Sequence, residues 1–166
     1  MLSRVTWKSK GAYSKLDEKA ISQVKFEIGQ IDLLFEAYAD LLDRVQKHTP
    51  DLVEVTAVAS VLHSFYNGLE NIFLSIAKGI DANVPEGAQW HRDLLTQMTE
   101  ATSMRGAVLT ASTARQLAGY LGFRHFYRHS YSLFLEWGEM EKLVTPLAEV
   151  WEQTRRELQL FLDNLV

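Results

Sequence analysis

The chain has 166 residues, of which 47% are hydrophobic and 23% are charged, and its formal net charge is −4 at pH 7. This length and composition indicate one globular domain, and the mild acidity argues against general electrostatic binding to nucleic acid or membranes, which leaves room for a local basic site. The absence of cysteine excludes disulfides and thiolate metal sites, and it fits a reducing compartment.

The N-terminal segment, residues 1–15, is polar and cationic and lacks the apolar stretch that a signal peptide needs. No run of about 18 apolar residues occurs in the chain, so a membrane span is not expected. We therefore expect a cytoplasmic protein with an N-terminal extension over residues 1–15 and one helical domain over residues 16–166.

The first half of the chain has the pattern of two long helices. From Leu16 to about His48 apolar residues recur at spacings of three and four, which predicts one long amphipathic helix. Thr49 is a candidate N-cap and Pro50 a candidate first residue of the next helix, which is expected to end near Gly79.

The second half continues the helical pattern after a loop rich in glycine, asparagine and proline. A shorter helix is expected from Trp90 to about Thr102, and Ser112 is a candidate cap for a helix that ends near Tyr131. The stretch "EWGEMEK" is predicted to be a turn, and Pro146 to precede a final helix. No segment alternates as a strand does, so the chain is predicted to be an all-α, antiparallel bundle of four to five helices.

The stretch "GFRHFYRHSY", residues 122–131, concentrates the basic groups of the second half. On a helix with 100° per residue its two arginines and two histidines fall within an arc of about 140°, and one turn earlier the same arc is apolar. Such a face suits the rim of a cleft or an interface, although solvated or ion-paired side chains are the commoner explanation and His129 alone could be a helix cap. The four residues are Arg124, His125, Arg128 and His129.

The second predicted helix carries a stripe of polar residues that contains no lysine or arginine. Because solvated faces usually mix both charges, this stripe could line a polar pocket or orient Arg124 by hydrogen bonding, while an ordinary half-exposed face fits equally well. The stripe comprises His63, Tyr66, Asn67, Glu70 and Asn71.

The order Arg124, four residues, His129, one residue and Tyr131, late in a helix of a small all-α protein, resembles the HEPN domain ribonucleases. Within that family it is similar to the HepT-like toxins, which carry an Arg-x4-His-x-Tyr pattern. The resemblance covers roughly residues 21–166. It is strengthened by the sequence "RHFYRHSY", the polar stripe, the stretch "WHRDLL" and the order of helices.

The resemblance implies a specific activity and specific partners. HEPN toxins are helical bundles that form two-fold homodimers, and their Arg and His meet across the dimer cleft to cleave RNA, with tRNA as one candidate, without metal or another cofactor. Arg124 and His129 would then be catalytic. Tyr131 would be AMPylated by a minimal nucleotidyltransferase antitoxin, which must be a separate protein because this chain lacks the Gly-Ser and paired aspartates of such an enzyme.

The motif also departs from the family pattern. Many HepT-like proteins have Asn after the motif arginine, whereas this chain has His125, and Arg128 is an additional cation. These two residues could bind RNA phosphate or take part in proton transfer, or the site could serve another use.

Two other functions remain open at this point. His125 and His129 are one turn apart and could bind a metal together with His63 or His91, although Arg128 would repel the cation. Alternatively, the protein is a noncatalytic helical partner that binds nucleotide or serves the nucleotidyltransferase as substrate. His91 and the adjacent Arg92 could line the same cleft as Arg124.

Overall fold

The computed structural model describes residues 15–131 and 134–165, which form seven α-helices and no strand. The predicted all-α class is therefore confirmed, with four helices of 19 to 28 residues and three of 8 or 9. Residues 1–14, nearly all of the predicted N-terminal extension, lie outside the described ranges. In chain order the helices are α1 Lys15–Ala37, α2 Ala39–Lys47, α3 Leu52–Gly79, α4 Trp90–Met98, α5 Ala111–His129, α6 Trp137–Val144 and α7 Leu147–Leu165.

Helix α3 is the centre of the bundle and packs against α1, α2, α4, α5 and α6. Its sequence is apolar around most of its circumference, which is typical of a helix buried on several sides. Phe65 lies edge-on to the rings of Phe35, Tyr120 and Trp151 in the core. A polar side chain on the buried faces of this helix is thus surrounded by protein and needs a polar partner.

The prediction of one helix from Leu16 to His48 is wrong, because the helix bends at Tyr38. The backbone there has φ −108° and ψ 14°, although hydrogen bonds from Tyr38 N to Leu34 O (3.2 Å) and from Leu42 N to Tyr38 O (2.9 Å) persist across the bend. A straight helix of 33 residues would be about 50 Å long, against about 42 Å for α3. The bend lets α2 also pack against α3.

The N-cap of α3 is Asp51, which corrects the prediction of Thr49. The Asp51 carboxylate accepts a hydrogen bond from the backbone N–H of Glu54 at 2.8 Å. A carboxylate at this position both satisfies a free N–H group and interacts favourably with the helix dipole.

The N-cap of α5 is Thr110, which corrects the prediction of Ser112. The Thr110 hydroxyl accepts from Thr113 N at 3.2 Å, and the Glu157 carboxylate on α7 accepts from Thr110 N at 2.9 Å. Burial raises the pKa of Glu157, but hydrogen bonds from Gln153, Thr110 and Thr113 outweigh burial and lower it. The start of α5 is thus fixed by a residue 47 positions away in the chain.

Helix α4 ends at Met98, earlier than the predicted Thr102, because the chain turns back towards α5. The backbone N–H groups of Val108 and Leu109 both donate to Met98 O, at 2.9 and 3.0 Å. Arg105 in this loop is buried and pairs with Asp81 through two contacts of 2.7 Å. The loop therefore holds α4 in a fixed position beside α5.

The predicted turn "EWGEMEK" is wrong as well, because most of it belongs to α6. Met140 and Val144, one turn apart, are both buried and hold this short helix on the core. The final helix begins directly after Pro146, as predicted. No helix in residues 15–131 or 134–165 is long and apolar enough to cross a membrane.

Candidate active site

Arg124 lies near the C-terminal end of α5 and faces α3. It follows the buried residues Leu117 and Tyr120 at helical spacing, so it lies on the same inward-facing side of α5 as they do. Only 8% of its side chain is exposed. A buried guanidinium is costly unless charged and polar groups surround it.

Two residues of the polar stripe on α3 provide the partners of Arg124. Its Nη2 lies 3.1 Å from Glu70 Oε1 and 3.5 Å from Asn67 Oδ1. Asn67 and Glu70 are one turn apart and therefore present both oxygen acceptors to the same guanidinium. These contacts agree with the interpretation that the polar stripe orients Arg124 by hydrogen bonding. A role of Arg124 in catalysis stays a prediction.

The other N–H groups of Arg124 are not used in the described part of the chain. Its Nε is buried without a hydrogen-bond partner, and Nη1 makes no hydrogen bond there. A guanidinium offers five N–H donors, and leaving a buried donor unpaired costs about 1–3 kcal/mol. Because Nε is sealed inside the protein, Nη1 is the unused donor that an oxyanion beside Arg124 would meet.

Glu70 also binds His91, which joins α4 to the same network. Glu70 Oε2 lies 2.6 Å from His91 Nδ1, and the His91 ring stacks on Trp90 with 3.6 Å between ring centroids. A carboxylate at Nδ1 favours the tautomer with the proton there and leaves Nε2 free. No local pattern signals this contact, because Glu70 and His91 are 21 residues apart on different helices.

A groove of about 670 Å³ runs between α4 and α5, and Arg124 lies on its wall. Half of the α5 residues that form its floor are alanine or glycine, and no carboxylate of the described ranges lines it. We call it the basic groove, because each ionisable side chain that lines it is an arginine or a histidine. These side chains are His91, Arg92, Arg115, Arg124 and His125.

The other three basic residues of the motif are exposed, so burial separates Arg124 from the residues that were predicted to share its arc. His125 and His129 lie on successive turns with ring centroids 5.0 Å apart, and Arg128 is exposed beside them. Tyr131 follows the end of α5, with 76% of its surface exposed. The structure thus places one buried cation next to several accessible groups.

Other stripe residues have different surroundings. The His63 ring lies 5.0 Å from that of Tyr127, and its pKa is lowered by burial and by the charges of Arg124 and Arg128. Burial and Glu70 raise the pKa of Tyr66 well above its usual range, so this side chain keeps its proton.

Asn71 does not reach the Arg124 network, which corrects its predicted place there. This side chain is exposed, and its Nδ2 lies 3.5 Å from Glu27 Oε1 on α1.

The three-histidine set of the metal alternative is not assembled. Of the two proposed third ligands, His63 contacts Tyr127 and His91 binds Glu70. Across the described ranges, no group of three or more histidine or carboxylate side chains could hold a metal ion.

Fold and site together define an all-helical protein with a buried arginine beside a basic groove and an Arg-x4-His-x-Tyr motif. A family model described as HepT-like protein matches residues 57–165, and the chain belongs to this family. The resemblance inferred from the sequence is confirmed. The match extends from α3 to the end of α7 and includes the whole Arg124 site, while α1 and α2 precede it. Comparisons with curated proteins and with solved structures found no match.

Proposed function

We propose that this chain is a metal-independent endoribonuclease toxin of a type VII-like toxin–antitoxin system, in which Arg124 and His129 are catalytic. Membership of the HepT-like family, which suggests a HEPN toxin, gives the class. The observation that carries the proposal is the Arg124 guanidinium, which is held by Glu70 and Asn67 and has N–H donors left unused.

Arg124 binds the scissile phosphate in this proposal. The phosphate becomes more crowded and more negative around phosphorus as the reaction proceeds, and a guanidinium fixed in advance stabilises this charge without reorganising. Arginine remains charged at any working pH, and Glu70 holds its orientation.

His129 transfers protons. A base takes the proton of the 2′-hydroxyl, O2′ bonds to phosphorus, the P–O5′ bond breaks, and an acid protonates O5′, so that the products are a 2′,3′-cyclic phosphate and a 5′-hydroxyl. Histidine can take either role near neutral pH. The His129 ring is exposed and contacts only His125 within residues 15–131 and 134–165, which leaves it available to RNA.

A homodimer supplies the second proton-transfer group. A two-fold axis beside the end of α5 would bring two copies of His129 and Arg124 into one cleft, because an isologous interface pairs a residue with its own neighbourhood. One His129 would then act as base and the other as acid. His125, one turn away on the groove side, is placed to bind a neighbouring phosphate, as is the exposed Arg128.

Tyr131 is the proposed site of AMPylation by a separate nucleotidyltransferase antitoxin. Its exposure makes the hydroxyl accessible to another enzyme, and it is two residues from His129. Adding AMP places bulk and negative charge where RNA phosphate would bind, so the modification blocks the substrate by steric hindrance and by repulsion.

The test is cleavage of end-labelled tRNA and total RNA with and without EDTA, using protein made without its nucleotidyltransferase and checked for AMP by intact mass. Wild type is expected to cut in EDTA and leave a cyclic phosphate, while Arg124→Ala and His129→Ala fold but lose activity by about 10²–10⁴-fold. Arg44→Ala on α2 and His48→Ala directly after it are matched controls and should cut normally. Cutting that needs metal, or that survives both site substitutions, would overturn the proposal.

A further inference from the structure

The basic groove has a charge opposite to that of the whole chain. Among residues 15–131 and 134–165, three arginines and two histidines line it and no carboxylate does, in a protein of formal net charge −4. Arg92 on α4 and Arg115 on α5 are both exposed, and no ion pair of either is observed in the part of the chain that the structure describes. A cleft of one charge sign attracts ligands of the other sign.

The floor of the groove lets a ligand approach the α5 backbone closely. Gly122 has open space where a Cβ would be, and Ala111, Ala114 and Ala118 extend the floor towards the start of α5. From Ala111 to His125 the helix rises about 21 Å. The groove therefore follows about four turns of α5 and is open to solvent along its length.

The groove leads to the proposed cleavage site. Arg124, nine-tenths buried and with an unpaired Nε, lies on its wall, and His125 is at the same end. His129 projects onto the same face of α5 as Gly122 and His125, within about 40°. Phe126 and Tyr131 are exposed around this end and offer surfaces on which unpaired bases can stack.

We propose that the basic groove binds the phosphate backbone of single-stranded RNA, with Arg92 and Arg115 contacting phosphates on one side of the scissile bond. The inference deepens the proposed function, because the ligand is taken to be the RNA that the Arg124 site cleaves. Arg92 and Arg115 position the strand and do not touch the reacting atoms. The strand would thus enter between α4 and α5 and reach the site from inside one protomer.

Binding is measured by fluorescence anisotropy with a labelled, unstructured 12-nucleotide RNA, in a His129→Ala background so that the probe stays intact. Arg92→Ala and Arg115→Ala are each expected to weaken binding severalfold and to reduce the slope of log K against log salt by about 0.7. Arg44→Ala on α2 is the matched control. Unchanged affinity and slope in both groove variants would overturn the inference.

A second pair of variants tests RNA binding in the groove by adding a large side chain instead of removing a charge. Gly122→Leu adds bulk to the floor at a position where a Cβ meets no atom within 4 Å, and the control Gly29→Leu on α1 is at a position with the same free space for a Cβ. Weaker RNA binding in Gly122→Leu alone supports the inference, whereas equal binding in both variants contradicts it. AMP and ATP are added as competitors, and competition as strong as that of RNA would show a nucleotide site in place of a strand.

Cleavage assays separate this inference from the proposed function. If binding depends on Arg92 and Arg115 but wild type cuts no RNA, the groove assignment stands and the nuclease proposal fails. If wild type cuts RNA and the groove variants cut and bind equally well, the nuclease proposal stands and the groove assignment fails. Circular dichroism confirms that each variant is folded.

Discussion

The Arg124 side chain has an ion-pair partner that is itself shared. Glu70 is 5% exposed and contacts Arg124 through one carboxylate oxygen and His91 through the other. One buried negative charge therefore orients a cation from α5 and an imidazole from α4. Removing one partner of a buried ion pair lowers the free energy of unfolding by more than the pair contributes to it, because the other charge is left buried without a counter-ion.

Glu70→Gln is expected to lower the free energy of unfolding by about 3–5 kcal/mol, since it leaves the Arg124 charge buried without a counter-ion. RNA cleavage should fall as the guanidinium loses its orientation. Urea unfolding and cleavage rates measure the two effects. Glu54→Gln, which removes an ion pair to the exposed Arg44 at 3.6 Å, is the control and should cost less than about 1 kcal/mol. Equal costs for the two variants would contradict a structural role of Glu70.

His63 predicts a pH dependence of stability. Burial and the charges of Arg124 and Arg128 lower its pKa in the folded state below the ordinary 6.5, so the unfolded chain binds the proton more readily. The stability that neutral His63 contributes is complete above about pH 6.5 and is lost as the pH falls towards the lowered pKa. Urea unfolding between pH 7.5 and 5 should show a smaller loss in His63→Gln than in wild type. If the free energy of unfolding falls equally with pH in His63→Gln and in wild type, the predicted lowering of the His63 pKa is contradicted.

At the scale of single elements, α5 is the helix on which the site depends, because it carries Arg124, His125 and His129. Its first turn is fixed by Thr110 and by Glu157 on α7. Its register against α3 is fixed by Leu117 and Tyr120, and the Tyr120 hydroxyl donates to Leu143 O at 2.6 Å. The position of Arg124 therefore depends on contacts with three other helices.

Thr110→Ala should destabilise the protein by about 1 kcal/mol, because it removes the side chain that caps α5. Ser112→Ala, at the cap predicted from the sequence, should change stability by less than about 0.5 kcal/mol. Urea midpoints of both variants measure the difference. The reverse order would place the start of α5 at Ser112.

At the scale of the whole molecule, the proposed cleft needs two copies of the chain. His129→Ala is expected to be inactive alone. After it is mixed with an equal amount of wild type and the two proteins exchange subunits, about a quarter of the dimers carry two intact copies of His129 and about half carry one.

Cleavage by the exchanged mixture is expected to fall to about a quarter of the wild-type rate, because only dimers with two intact copies of His129 have both the base and the acid. Light scattering gives the oligomeric state, and the same mixture before exchange, which should cut at about half of the wild-type rate, is the control. A monomeric protein, or an exchanged mixture that still cuts at about half of the wild-type rate, would place the complete site within one protomer.

Much of the architecture could be predicted from the sequence, because local patterns report local structure. Apolar spacing located the main helices, and the Thr-Pro restart at Pro146 predicted the start of α7. The motif around Arg124, together with the polar stripe, the stretch "WHRDLL" and the order of helices, indicated the family that the match over residues 57–165 confirms. The bend at Tyr38 was not predictable, because the apolar stripe continues through it and only packing of α2 against α3 requires it.

The sequence alone determined the all-α class, the HepT-like family and the cluster of arginines and histidines on α5. Only the tertiary structure decided that Arg124 is buried while His125 and His129 are exposed, that Glu70 joins it to His91, and that α4 and α5 form a basic groove. The physical reason is distance along the chain. Helical periodicity reports which face a residue occupies, whereas a charge contact between residues 21 to 54 positions apart depends on how separate helices pack.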